Sequence, residues 1–441
     1  MPGLIMSLFR SLLCWPHHWR GRSQCIEAAG LSLPTAFSVF VAAVGAVIGP
    51  AKAQDSDYVP WTEATFAKIK PIAEARYRFE FVDQDGLERD AKASTLRTRF
   101  GIRGDDFGDF SFLVEAENIL HIGADRFNDG RNGRDAFPRV NDPEALEINQ
   151  LYATYKGLPD TNIRVGRQVI ILNDGRFVAN DPWRQNETSY DAIRIENRSI
   201  LNTKLTYAYI DRVHAALGDP DGELESNSHV FGADFELERF GEIKTYAILL
   251  DFNDADALSS ASYGARWENS VTVTDYFVTD LFAEYAFQAD YGDNPADYGL
   301  SYLHIGAGTA YGPISGRIAY ERLGGDGVDA IQFPIGQRHR RNGLADAFAT
   351  TPASGLGDLY VELEAGWPRP PIGGRRITAL AAYHRFSAAE GANRLGDEFD
   401  AILRWAHTRR ITSELRMAFF DGTAAGPAGR NKVMASIQYR Y

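Results

Sequence analysis

Arginine is the residue type best placed to do chemistry in this 441-residue chain. Arg76 and Arg78 sit between Glu74 and Glu80, Arg97 and Arg99 repeat that two-residue spacing, and Arg103 follows four residues on, at the same parity. Arg164, Arg194, Arg317, Arg404 and Arg416 occupy the same kind of position in later segments. A guanidinium stays charged and pairs with a carboxylate through two parallel hydrogen bonds. Rings of such groups suit the attraction and release of anions. The bland alternative is that Glu115, Glu117, Glu284, Glu398 and Asp400 simply neutralise them and brace a wall. Arg167 breaks the pattern. Alternation with Ile163 and Val165 points it to the apolar side, so either a bulge at Gly166 turns it back, the favoured reading, or it lies at an interface and snorkels.

Two long polar segments, Asp125 to Pro143 and Asp326 to Gly357, suit surface loops or inward-folded constrictions. Arg338, His339, Arg340 and Arg341 lie in the second and suit an anionic partner, either a passing solute or lipopolysaccharide phosphate. Asp191 and Asp346 suit the fixing of loop geometry.

A search for covalent chemistry is nearly empty. Histidines are dispersed, and no G-x-S-x-G elbow, H-E-x-x-H helix, P-loop or dinucleotide fingerprint is present. Ser301 and His304 are close in sequence, but nothing orients them as nucleophile and base. Asp219-Pro220-Asp221-Gly222-Glu223 lacks the spacing of a calcium loop and reads as a solvated turn. Neither enzyme activity, a metal nor a cofactor is expected.

The elements that must carry these residues are strands. Ala73, Ala75, Tyr77, Phe79 and Phe81 alternate with Glu74, Arg76, Arg78 and Glu80. The same period of two runs through Leu96 to Arg103, Phe110 to Glu117, Asp358 to Trp367, Glu398 to Trp405 and Lys432 to Tyr441. Period two places one set of side chains on each face of a sheet. A soluble sandwich also alternates, but its wet face favours Thr, Ser and Lys. Here the polar face is dense in Arg and Glu, while Tyr and Trp gather near the ends of the apolar face, as in an aromatic girdle. In lipid such a sheet must close on itself. The expected fold is an all-β transmembrane antiparallel barrel of about 18 strands, with 16 as the alternative, spanning 54–441.

Residues 1–53 read as an export signal. Arg10, Arg20 and Arg22 precede the apolar run Leu31 to Gly49, which ends in Ala51-Lys52-Ala53. Cleavage there removes Cys14 and Cys25, leaving no thiol for a disulfide or metal site. The chain is acidic, with formal net charge −13, which argues against nucleic acid as a partner. Outer-membrane lipid and lipopolysaccharide are the expected surroundings, in a Gram-negative bacterium.

Four segments resemble the alginate-export family. The first is Val165-Gly166-Arg167-Gln168-Val169-Ile170, followed by Asn173-Asp174-Gly175-Arg176-Phe177-Val178, Trp183-Arg184-Gln185-Asn186 and Ser189-Tyr190-Asp191-Ala192. The second holds Gln332-Phe333-Pro334-Ile335, His339, Asn342 to Phe348 and Gly355 to Tyr360, with Leu344 where a larger aromatic residue is usual. Ala283 to Gln288 and Leu395 to Asp400 complete the set. The resemblance implies an 18-stranded barrel that lets an anionic uronate polymer leave the periplasm, with periplasmic export partners as a further expectation. Uptake of small acidic solutes through the same lumen is the alternative.

Overall fold

The computed structural model describes residues 68–339, 341–391 and 393–441. The export signal, both cysteines and Arg340 lie outside the described residues. Eighteen strands follow one another: β1 (Ile69–Gln84), β2 (Ala91–Phe107), β3 (Phe110–Arg126), β4 (Ala145–Leu158), β5 (Thr161–Gln168) and β6 (Ser189–Asn197). Then come β7 (Thr203–His214), β8 (Glu223–Glu236), β9 (Glu242–Leu250), β10 (Ser260–Thr274), β11 (Phe277–Asp290) and β12 (Gly299–Tyr311). The last six are β13 (Ile314–Leu323), β14 (Leu356–Pro368), β15 (Arg376–Ser387), β16 (Arg394–Ala406), β17 (Ile411–Gly422) and β18 (Arg430–Arg440).

Each strand pairs antiparallel with the next, and β1 also pairs with β18 from Glu74↔Arg440 to Gln84↔Arg430. The sheet is therefore closed, so every strand has two partners and the wall has no free edge along most of its height. This is the expected fold with the expected strand count, and the segment from Ala257 to Phe282 resolves into β10 and the start of β11.

The two faces differ as the alternation demands. Phe100, Tyr285, Leu363 and Phe399 are exposed on the outside of the wall, whereas Arg97, Glu284 and Glu398 are buried on its inside. Tyr276, Tyr311, Trp367 and Tyr441 stand exposed at the end with short turns, at the level of an interfacial aromatic belt. Short turns mark the periplasmic end of such barrels and long loops the outer end. Both chain ends of the barrel thus lie on the periplasmic side, because the strand number is even. Among the described residues no helix is long and apolar enough to cross a membrane; the strands do so. Leu363→Arg, in the middle of β14 on the lipid side, is expected to destabilise the barrel by about 2–4 kcal/mol. Denaturant titration of the protein in lipid vesicles measures this, and an unchanged midpoint would contradict the lipid-facing assignment.

Candidate conduction path and its constriction

The strand β5 is short because the chain leaves the wall after Gln168 and enters the barrel. Ile170, Leu172, Phe177, Val178 and Trp183 carry too much apolar surface for a solvated loop, and they are buried against Tyr190, Ala208, Ile210, Tyr246 and Ile248 of the wall. A second inward loop, 324–355 between β13 and β14, buries Ile331, Phe333, Ile335, Leu344 and Phe348 against Tyr302, Phe386 and Phe420. The loops are joined to each other. Ala179 N donates to Ile335 O at 2.9 Å, Gln337 N donates to Gly175 O at 2.9 Å, and Phe177 meets Phe333 edge-on. Tyr190 Oη donates to the carbonyls of both, at 2.5 Å to Ala179 and 3.1 Å to Ile335. Gly336 is required at this junction, since a Cβ there would lie 2.0 Å from Arg176 O. The outer half of the lumen thus holds a packed plug.

The arginines of β1 and β2 point inward, as their spacing demands, but they do not border open water. They staple the plug. Arg76 donates from Nε to Gln185 Oε1 at 2.9 Å, from Nη1 to Pro182 O at 2.8 Å, and from Nη2 to the carbonyls of Trp183 and Arg184. Arg78 donates to Trp183 O and pairs with Asp142. Arg97 reaches Gln185 O at 3.1 Å and pairs with Glu74, while Arg99 pairs with Glu117 and, at 2.8 Å, with Glu187. The physical reason is the backbone. Carbonyls of an inward chain segment have no ladder partner and must find donors, and arginine supplies five. Reading Arg76, Arg78, Arg97 and Arg99 as lumen surface is therefore corrected.

Asp346 is a second anchor. Its carboxylate bonds Lys432 Nζ of β18 at 2.6 Å, His339 Nδ1 at 2.9 Å and Arg184 Nη2 at 3.2 Å. Burial raises the Asp346 pKa, but Lys432, His339 and Arg184 outweigh it and hold the carboxyl well below the usual range. His339 stacks on Trp183 at 4.6 Å, and burial pushes its pKa down to about 4. Burial also raises Asp181 to about 6. Arg341 binds Asp174 through its backbone oxygen at 2.7 Å and its carboxylate at 3.2 Å, whereas Arg338 is exposed and donates to Pro334 O.

Below the plug the lumen is wetter. Arg103, Arg317 and Arg404 have side chains 51%, 46% and 52% exposed beside Asp105, Glu362 and Glu414. Arg164 lies over the Tyr152 ring at 4.3 Å, Arg194 pairs with Glu196 at 2.7 Å, and Arg416 bridges Glu414 to the underside of Trp183. These six arginines lie along the lumen where parity places them.

Arg167 remains on the outward face. The register of β5 with β6 runs unbroken from Thr161↔Asn197 to Gln168↔Tyr190, so the expected bulge is absent even though Gly166 has φ +117°. Its charge is met instead by a two-bond pair with Asp191, at 2.9 and 3.1 Å, and Asp191 also bonds His214 at 3.0 Å. Asp191 belongs to the outer rim, away from the constriction. In the neighbouring turn Asp219 pairs with His214, Asp221 with Arg131 and Glu223 with Arg212, so these acids already have partners. A second acid–histidine group, Asp174, Glu284 and His304, is shared with Arg266 and Arg341. Ser301 and His304 lie on opposite faces of β12, and His304 turns its Nε2 to the Tyr360 hydroxyl at 3.0 Å. They do not form a nucleophile–base pair.

Sequence reasoning missed Arg176, Arg184, Gln185 and Lys432. Arg176 pairs with Glu321 at 2.9 Å and lies 4.0 Å from the Phe333 ring centre. The available signal was the apolar content of the 169–188 segment, which a water-facing loop would not carry.

A closed wall of 18 strands, an apolar exterior and inward loops define the class: an outer-membrane β-barrel of the porin kind found in Gram-negative bacteria. Within that class, residues 68–246 match the alginate-export family model, covering β1 through most of β9 and bearing out the resemblance read in the sequence. The fold is similar to that of OccAB2 from Acinetobacter baumannii, with 15% identity, 84% of this chain and 98% of that chain covered, and a TM-score of 0.64. It is also similar to OpdL and to OpdK, solved with vanillate, both from Pseudomonas aeruginosa. Each shows 11% identity, 85% and 99% coverage and a TM-score of 0.64. No curated protein matches the sequence.

Proposed function

We propose that this barrel conducts an anionic, uronate-bearing polysaccharide from the periplasm to the cell surface. The observation that carries the reading is the exposed arginine set Arg103, Arg317 and Arg404 in the periplasmic half of the lumen. The charge at the two ends supports the direction. Periplasmic turns carry Arg198, Arg239, Arg369, Arg375, Arg409 and Arg410, whereas the outer loops 251–259 and 291–298 hold aspartates and neither Lys nor Arg. A polyanion is therefore captured more readily from the periplasmic side. The alginate-export match over 68–246 agrees with this class of cargo. Passage of a polymer requires the plug to shift.

The plug itself favours a second reading, uptake of small acidic solutes. It contacts β1, β2, β6, β9, β12, β16 and β18, leaving little width for a chain of sugars. The solved structure of OpdK with vanillate gives a small-molecule precedent in the same fold.

Replacing Arg103, Arg317 and Arg404 together by alanine should lower the anion-to-cation permeability ratio roughly fivefold, about 1 kcal/mol of lost Coulomb attraction. Reversal potentials in planar bilayers under a salt gradient test this. An unchanged ratio would remove the anionic cargo from either reading. Blockade by oligouronates added on the periplasmic side, against blockade by monomers only, separates polymer from solute.

A further inference from the structure

Away from the lumen arginines, three outer loops meet in a cup of about 160 Å³, formed by 251–259, 291–298 and 324–355. It has room for roughly five waters or one six-membered sugar ring. Half of its lining is polar: Ser260, Asn294, Tyr298, Asp329, Gln332 and Thr351. The remainder consists of small or aliphatic side chains, among them Ala257, Ala330 and the exposed Val328.

Its frame is fixed before any ligand arrives. Gln332 closes a ring with Thr351, its Nε2 donating to Thr351 O at 3.0 Å and its Oε1 accepting from Thr351 N at 3.2 Å. Asn294 Nδ2 donates to Ser259 O at 2.6 Å, tying the second loop to the first. Asp326 Oδ1 accepts from the backbone N–H groups of Val328 and Asp329, both at 2.8 Å, which sets the turn carrying Asp329. One group is left over. Ser260 lines the cup at 3% exposure, its Oγ buried without a hydrogen-bond partner and the Tyr298 side chain close by. A buried hydroxyl without a full set of partners costs free energy unless a ligand or water completes it.

We infer that this cup is a binding site for an uncharged sugar unit at the outer mouth of the barrel. Charge excludes an anion. The same loops hold Asp251, Asp254, Asp256, Asp293, Asp297 and Asp326, and residues 251–259, 291–298 and 324–337 contain no Lys or Arg. Mixed lining suits a sugar, whose ring C–H faces lie on Ala and Val while its hydroxyls meet polar groups. The Asp329 carboxylate accepts from two neighbouring hydroxyls, and Ser260 Oγ, Tyr298 Oη and Thr351 Oγ1 serve the others. The inference is independent of which solute crosses the lumen.

Saturation-transfer NMR on the detergent-solubilised full barrel tests it, with methyl α-glucoside and glucuronate as probes at equal concentration. Transfer is expected to the glucoside and not to glucuronate. Asp329→Asn and Ser260→Ala should each weaken glucoside binding about tenfold, as loss of a hydrogen bond to a charged or buried group does. Ala330→Trp, which fills the cup, should abolish it, with heat-modifiable gel mobility confirming an intact barrel. Absence of transfer to the glucoside, equal transfer to glucuronate, or binding unchanged in all three variants would overturn the assignment. None of these outcomes depends on the permeability ratio, so this inference and the transport reading fail separately.

Discussion

Replacing Arg76 and Arg97 by alanine should raise single-channel conductance severalfold while leaving the barrel folded. Arg76 bonds the carbonyls of Pro182, Trp183 and Arg184 and the Gln185 side chain, and Arg97 bonds Gln185 O and pairs with Glu74. Removing them leaves buried carbonyls without donors and Glu74 with Arg440, at 2.7 Å, as its remaining ion-pair partner. Each stranded buried carbonyl costs about 1–3 kcal/mol. The plug absorbs that cost by swinging out, because its contacts are side-chain contacts. The wall is held by continuous ladders and persists. Conductance at the wild-type level in the double variant would show that the 169–188 segment is seated by its apolar contacts alone.

The second large effect is a hidden pH response. His339, buried in the plug, has its pKa pushed by burial from 6.5 to about 4. The seated plug therefore binds fewer protons than the released one between these values, so acidification favours release by roughly 3 kcal/mol. Asp181 acts in the opposite sense. Burial raises it from 3.8 to about 6, so the seated plug binds more protons and acidification favours seating by a similar amount. Of the surrounding charges, Arg184 and Arg338 stay protonated and Asp346 stays ionised through this window, setting a constant background. The wild-type protein is expected to change little between pH 6.5 and 4. Asp181→Asn should open progressively as pH falls through that range, and His339→Gln should close. Conductance measured against pH in the two variants decides it; parallel profiles would discard the compensation.

Much of the wall was legible in the sequence because a period of two leaves no choice of face. Arg97, Arg99, Glu115 and Glu117 had to share a side, and they do. The inward loops were less legible. Parity states that Arg76 points inside a barrel, but not that a distant segment, more than a hundred residues later, comes back to meet it. The Arg167 error has the same origin. A glycine with positive φ can mark a bulge, yet here the strand keeps its register and a carboxylate on the neighbouring strand meets the charge. Strand alternation is a local property; the partner of a side chain is set by the three-dimensional fold.

The plug also sits across the join where the first and last strands meet. Arg76 and Arg78 on β1 hold Trp183 and its neighbours, while Lys432 and Arg430 on β18 hold Asp346 through its side chain and backbone. One inserted body thus grips both lips of the seam. A cylinder closed in this way cannot be unzipped at that line without first ejecting its filling. Mechanical extraction from the C-terminal end should consequently begin with a single high-force event that vanishes once the Asp346 carboxylate is neutralised.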